Sequence, residues 1–298
     1  MTDVTVVVAT RNRRQQLLET LGRHTADVVV VDNGSDDGSP EAVRRAFPHV
    51  RVVRLGWNAG AGAARNVGVE LAATPFVAFA DDDSYWAPGA LEEAVRLLRA
   101  YPRTGLLTGR VLVGRQGRLD PVSAEMARAP LGTPTDAPGP SVLGFLACAV
   151  VLRRAAFRQV GGFTEKLRTY GEEALLAMDL AAAGWHLSYV DEVVAHHLPL
   201  PSGRDAGARH RVEARNRLLT AALRRPAAVV LRTAAGALRD PAGRRGLLDA
   251  GREVGWVLRN RRPLPAPVEA GLRVLERGDT AVALPAPRSP GSAVPSAN

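Results

Sequence analysis

Cysteine and lysine are almost missing from this chain. Cys148 is the only cysteine, which excludes an intramolecular disulfide and a cysteine-based zinc site and makes a reducing compartment the default. Lys166 is the only lysine among 39 basic residues. Aromatic residues make up 5% of the sequence, and Trp256 is the only one in the arginine-rich stretch from 203 to 278. A nucleic-acid surface needs basic residues interleaved with aromatics or a recognition module, so that partner is not expected. Long apolar runs are also lacking. The best candidate, Ala221–Leu238, is broken by Arg224, Arg225, Pro226 and Arg232, well short of the roughly 18 apolar residues of a membrane span. Met1-Thr-Asp-Val has neither the basic start nor the apolar stretch of a secretory signal. The expected location is the cytoplasm, either free or lying on the inner face of the membrane.

What is present is a chain of 298 residues, 46% hydrophobic and 23% charged, with a formal net charge of +9. That composition suits one large α/β domain with appendages. The charge is unevenly placed. Residues 1–202 hold 21 basic and 22 acidic side chains, whereas residues 203–278 hold 17 arginines against 7 acids. The first two-thirds is electrically ordinary, and the excess belongs to the C-terminal part.

Val4–Ala9, Val28–Val31, Arg51–Leu55 and Phe76–Ala80 have strand length and strand composition, and they alternate with amphipathic stretches, including a predicted helix over Gly60–Ala73. Such alternation implies βαβ units and a mainly parallel sheet. Polar segments follow the strand ends, where open α/β sheets bind ligands. From Arg115 to Pro140 the pattern dissolves into a long loop, a candidate acceptor lid. A strand over Val142–Arg153, a helix over Glu172–Ala183 and a strand over His186–Val190 follow. Residues 207–262 show basic amphipathic helices punctuated by Pro226 and Pro241. Beyond Asp279 the chain is Pro, Ala and Ser without periodicity, which predicts disorder. The predicted division is a catalytic domain over 1–202, a basic helical extension over 203–278 and a disordered tail over 279–298.

Asp81-Asp82-Asp83 closes an apolar strand. Three adjacent carboxylates repel one another and call for a cation, and a hard ion such as Mg²⁺ or Mn²⁺ held by one or two of them also binds substrate phosphates. The bland alternative is a helix cap. Asn58-Ala-Gly60-Ala-Gly62-Ala-Ala-Arg65-Asn66-Val-Gly68 lacks the third glycine of a dinucleotide fingerprint and follows the third strand, so it is not a Rossmann site. It either opens a helix toward an anion, with Arg65 assisting, or packs tightly. Asp32-Asn33-Gly34-Ser35 is a turn or the edge-reader of a pyrimidine base. Glu172-Glu173 supplies either a first-turn acid pair or the carboxylate that a general base requires. His196-His197 is either a surface pair or a ligand pair.

In order, these segments resemble the family 2 glycosyltransferases of GT-A fold, a Rossmann-like mixed sheet flanked by helices. The matching stretches are Val6-Val-Val-Ala-Thr-Arg-Asn12, Val29-Val-Val-Asp32-Asn-Gly-Ser35, Asn58 through Gly68, Asp81-Asp82-Asp83, Gly161-Gly-Phe163, Gly171-Glu-Glu173 with Gly184-Trp185, and His196. The resemblance implies a metal-dependent, inverting transfer of a sugar from a UDP-, dTDP- or GDP-sugar to an acceptor hydroxyl. It places Thr10, Arg11, Asp32, Asn33, Asn58 and Gly60 at the nucleotide sugar and Arg65 near the diphosphate. Asp81 and Asp82 would touch ribose or sugar, and Asp83, with Asp81 and His196, would hold Mg²⁺ or Mn²⁺. The family's Glu-Asp pair appears as Glu172-Glu173, with Glu173 in the place of the aspartate base and Glu172 the alternative. Arg215-Asn216 resembles the Arg-Asn helix that follows such domains. The helical extension is expected either to meet an anionic membrane surface or simply to pack on the catalytic domain. Two other classes compete. A nucleotidyltransferase acting on sugar phosphates would need a glycine-rich loop that Val4–Arg14 lacks, and a non-enzymatic nucleic-acid binder would need the aromatics noted above.

Overall fold

The computed structural model describes residues 3–128, 130–199 and 205–279. The expected boundary at 202/203 and the expected disordered tail beyond 279 lie outside them. The N-terminal half runs β1 (Val4–Thr10), α1 (Arg14–Leu21), β2 (Asp27–Asp32), α2 (Ser39–Ala46), β3 (Arg51–Arg54), α3 (Ala61–Leu71), β4 (Phe76–Asp81), β5 (Ser84–Trp86) and α4 (Ala90–Ala100). It continues with β6 (Thr104–Val113), β7 (Arg118–Leu119), α5 (Pro121–Ala127), β8 (Val150–Arg153), α6 (Arg154–Gln159), α7 (Glu172–Ala182) and β9 (His186–His197). Five helices close the described chain: α8 (Ala206–Arg224), α9 (Ala227–Ala237), α10 (Pro241–Gly251), α11 (Val254–Asn260) and α12 (Ala266–Asp279).

The valines of β1 and β2 alternate between the two faces of the sheet, as a pleated strand requires. Val6, Val8, Val28 and Val30 enter a core shared with α1, α2 and α4. Val7, Val29 and Val31 enter the opposite core with α3, α6 and α7. One mixed sheet results, in the order β3-β2-β1-β4-β8-β6-β9-β5, with β7 on β6. β1, β2, β3 and β4 are parallel, while β8 runs antiparallel to both β4 and β6. The chain winds outward from β1 through β2 to β3, then returns to place β4 on the other side of β1. This reversal opens a crevice at the carboxyl ends of β1 and β4, and their register sets Ala9 beside Asp81.

Two expectations need correction. The strand expected over Val142–Arg153 is confined to Val150–Arg153, because Ala147–Ala149 forms a 3₁₀ turn that delivers the chain to the sheet. The long loop from Arg115 to Pro140 contains β7 and α5, with Asp120 capping the helix through Val122 N and Ser123 N. The helical extension packs onto the sheet domain, one of the two arrangements expected of it. Leu218, Leu219 and Leu223 of α8 share a core with Leu167, Leu175, Ala250 and Val257, and Arg224 grips Asp179 of α7 through two contacts at 2.5 and 3.0 Å.

Candidate active site

Thr10, Asp32 and Asp81 terminate β1, β2 and β4 in neighbouring registers, so ladder pairing alone brings three distant polar segments to one crevice. Asp32 is fully buried. Its Oδ2 accepts from Ser35 N at 3.2 Å and lies 3.7 Å from Arg54 Nε, while Oδ1 has no partner among the described residues. A buried, unsatisfied carboxylate oxygen is costly unless a ligand donates to it. Asn33 turns toward the next loop. Its Oδ1 accepts from Ala59 N at 2.8 Å and its Nδ2 donates to Asn58 Oδ1 at 3.2 Å. Arg11, exposed at the rim, donates to Gly34 O at 3.4 Å.

The glycines of the Asn58–Gly68 segment serve close approach of backbone and side chains. A Cβ on Gly60, whose φ is +99°, would stand 2.7 Å from Arg168 Cα, and one on Gly68 would stand 2.1 Å from Val7 Cγ1. Gly62 N already donates to Arg168 O. The opening of α3 is therefore covered by the 163–168 loop, and the packing alternative accounts for these glycines.

Arg65, expected near the diphosphate, is likewise turned inward. It is buried, donating to Asp81 Oδ1 at 2.8 Å and to Glu172 Oε1 at 3.2 Å. Its guanidinium carbon sits 5.9 Å from the Phe79 ring and 5.8 Å from that of Phe163. Burial works against its charge, but Asp81, Glu172 and Glu173 outweigh burial and raise its pKa. Arg65 thus ties the end of β4 to the start of α7 across the sheet face.

Asp82 accepts from Thr10 Oγ1 at 3.0 Å. Desolvation, followed by repulsion from Asp83 and Asp81, pushes its pKa up to about 7, the signature of an acidic cluster short of positive charge. Asp83 faces β9. His197 Nε2 lies 3.3 Å from Asp83 Oδ1, while the ring of His196, the histidine expected to join Asp83 and Asp81 at a metal, stacks on Tyr85 with centroids 4.8 Å apart. The two histidines differ because neighbours on β9 point to opposite faces.

Glu172 and Glu173 occupy different environments. Glu172 is 2% exposed, with Oε1 on Arg65 and Oε2 unpartnered. Desolvation, with Glu173 adding to it, pushes its pKa up to about 7. Glu173 lines a cavity of about 1380 Å³ between α7, α8, α9 and α12. The loop entering α7 is held in a demanding conformation, with Arg168 at φ 59° and Tyr170 at φ 64°. The clamp is Asn216, 1% exposed, whose Nδ2 faces the carbonyls of Leu167, Thr169 and Tyr170 at 2.8, 2.8 and 2.9 Å. The Arg-Asn pair is visible in the sequence, but nothing local to it reveals a partner loop some 46 residues away.

A crevice at a sheet reversal, flanked by a buried carboxylate, a triple aspartate and a carboxylate facing an open cavity, is the architecture of a GT-A fold. The sequence pattern of glycosyl transferase family 2 matches residues 5–161. The N-acetylglucosaminyl-diphospho-decaprenol L-rhamnosyltransferase of Mycobacterium tuberculosis is 31% identical over 249 residues, 69% of this chain and 80% of that one. The pre-mycofactocin glycosyltransferase of the same organism is 30% identical over 65% of this chain and 42% of its own length. Among solved structures, Staphylococcus aureus TarS 1-349 in complex with UDP-GlcNAc superposes with a TM-score of 0.60, at 20% identity, over 93% of this chain and 87% of that one. The Pyrobaculum calidifontis mannosyltransferase in complex with GDP-Man and Mn²⁺ gives 0.58, at 22% identity, over 94% and 80%. The chain belongs to glycosyl transferase family 2. It is a glycosyltransferase acting on a nucleotide-sugar donor, which sets aside the nucleotidyltransferase and non-enzymatic readings.

Proposed function

We propose a metal-dependent, inverting transfer of a sugar from a nucleoside-diphosphate donor to a hydroxyl of a lipid-linked acceptor. The observation that carries it is the carboxylate cluster at the end of β4, whose ion-pair partners among the described residues are Arg65 and His197. Among the described residues no three His, Cys, Asp or Glu side chains form a metal cage. The donor set instead fits a hard ion held by Asp83, with Asp81 beside it, and completed by substrate phosphates. Such an ion supplies Lewis-acid neutralisation of the charge that builds on the departing diphosphate.

The protein's own groups divide the remaining work. Asp32 Oδ1 accepts from the donor edge of the nucleobase, and Asn33 fixes the Asn58 loop beside it. Asp82, held by Thr10, contacts ribose or sugar. Glu172 is committed to Arg65, so Glu173 is the base. It takes the proton from the acceptor hydroxyl as that oxygen bonds to the anomeric carbon, while the bond to the diphosphate breaks on the opposite face and the electron pair leaves with it. A single displacement inverts the anomeric centre. Screening UDP-, dTDP- and GDP-sugars with Mn²⁺ or Mg²⁺ tests this directly. Glu173→Gln and Asp83→Ala should each lower transfer by roughly 10²- to 10⁴-fold with unchanged thermal stability; near-normal turnover in either variant defeats its assignment.

The lipid-linked acceptor is supported by the outer surface of the C-terminal helices. Leu231, Leu248 and Leu258 are 71%, 69% and 72% exposed, alongside exposed arginines such as Arg244, Arg245 and Arg259. No helix among the described residues is long and apolar enough to cross a membrane. An apolar and basic surface of this kind suits the interface of an anionic bilayer. Co-sedimentation should favour anionic over neutral vesicles, and equal recovery counts against it. The relative named above as acting with N-acetylglucosaminyl-diphospho-decaprenol supports the same acceptor class.

A further inference from the structure

The cavity bounded by α7, α8, α9 and α12 is lined by seven arginines against four carboxylates, one of which is Glu173. Part of that charge is internally matched. Arg225 pairs with Glu269 and Glu276, Arg232 with Glu276, and Arg209 with Glu213. Arg217 and Arg239 are different: both line the cavity, both are exposed, and among the described residues neither side chain has a hydrogen bond or ion pair. Thr220, one turn beyond Arg217 on the same wall of α8, is 5% exposed, and its Oγ1 has no partner among the described residues. A concave wall with surplus guanidinium charge and a free hydroxyl has the chemistry that recognises phosphate, which takes paired N–H donors from arginine, and its field concentrates anions.

We infer that this cavity is the anion subsite of the acceptor, and that Arg217, Arg239 and Thr220 bind a phosphate or diphosphate group carried by the acceptor while Glu173 on the same wall meets its hydroxyl. The inference rests on the glycosyl transfer proposed above and adds that the acceptor is recognised by its phosphates. The donor diphosphate belongs to the other side of Glu173, at the end of β4, so the enzyme has two separate anion sites, one served by a metal and one by arginine.

The test uses the full chain and inorganic pyrophosphate as the probe, titrated calorimetrically in EDTA so that no metal-assisted site contributes. Wild type should bind, and Arg217→Ala with Arg239→Ala should weaken binding roughly tenfold or more, as loss of charged hydrogen bonds implies. In parallel, UDP, dTDP and GDP are titrated with Mn²⁺ into both proteins. The nucleotide that binds wild type should bind the double variant equally, which reports an intact donor site and fold. Equal pyrophosphate affinity in the two proteins, or none in either, overturns the subsite. If none of the three nucleotides binds wild type, the donor reading fails instead, whatever pyrophosphate does. Vesicles of phosphatidylglycerol, added as a competitor, separate the sources: displacement of pyrophosphate would mean that headgroups alone fill the cavity and would overturn the acceptor assignment.

Discussion

The acidic crevice and the arginine-rich helices both concentrate one sign of charge, yet they are built by opposite rules. At the end of β4 the three aspartates are partly sequestered, and desolvation with mutual repulsion holds Asp82 near pKa 7. In α8–α12 many ion pairs carry solvated arginines, such as Arg211 with Asp249 and Arg252 with the same carboxylate. A buried site retains the electrostatic cost of its own charges and is ready for a counter-ion, whereas a solvated layer spends its charge on neighbours and water. The Arg217 and Arg239 cavity is the exception within the basic layer, and it is the part of that layer that reaches Glu173.

The comparison breaks most easily at Arg65. If its role is to satisfy two buried carboxylates, Arg65→Met leaves Glu172 uncompensated and should cost about 3–5 kcal/mol of stability, read by calorimetric unfolding. An unfolding curve like wild type, with weakened nucleotide binding alone, would restore Arg65 to the diphosphate. Asn216→Ala should follow, at about 1–3 kcal/mol for the unpaired loop carbonyls, with kcat reduced and nucleotide affinity retained, because the loop it clamps carries the base and not the donor site. Unchanged kcat would show that the loop holds its shape without it.

Proton linkage distinguishes the regions more gently. Because the Glu172 pKa is raised in the fold to about 7, the native state keeps a proton that the unfolded chain releases. Its stabilising contribution is complete below the ordinary glutamate range and is lost as pH climbs through about 7. In EDTA, the unfolding temperature of wild type should therefore fall between pH 5 and 8 more than that of Glu172→Gln; parallel profiles would refute the shift. The smallest effect belongs to the basic layer, where Arg211→Ala, removing a pair whose arginine is 45% exposed, should leave the unfolding temperature close to that of wild type.

Much of this was legible in the residues themselves. Buried valine runs mark β1, β2 and β4, and the polar stretches after them mark the crevice, because strand ends at a sheet reversal place those stretches together. β6 escaped because Gly105 and Gly109 interrupt its apolar pattern. Both glycines are tertiary requirements: a Cβ on Gly109 would stand 2.1 Å from Val193 O, at a shift in the β6–β9 register. The inward turn of Arg65 was unreadable for a similar reason, since its second carboxylate comes from a helix 107 residues away. The choice between His196 and His197 turned on strand phase, which a strand expected to end at Val190 left unspecified; β9 continues to His197.

The Arg65 bridge also constrains how this enzyme can diverge. Because one guanidinium holds both Asp81 and Glu172, the end of β4 and the start of α7 are tied together, and a mutation that shifts one disturbs the other. On the proposed assignment this couples the donor side to the base and leaves the walls of α8, α9 and α12 as the place where side chains can be exchanged with least disturbance, so swapping those helices between relatives is the route by which altered acceptor choice would be sought.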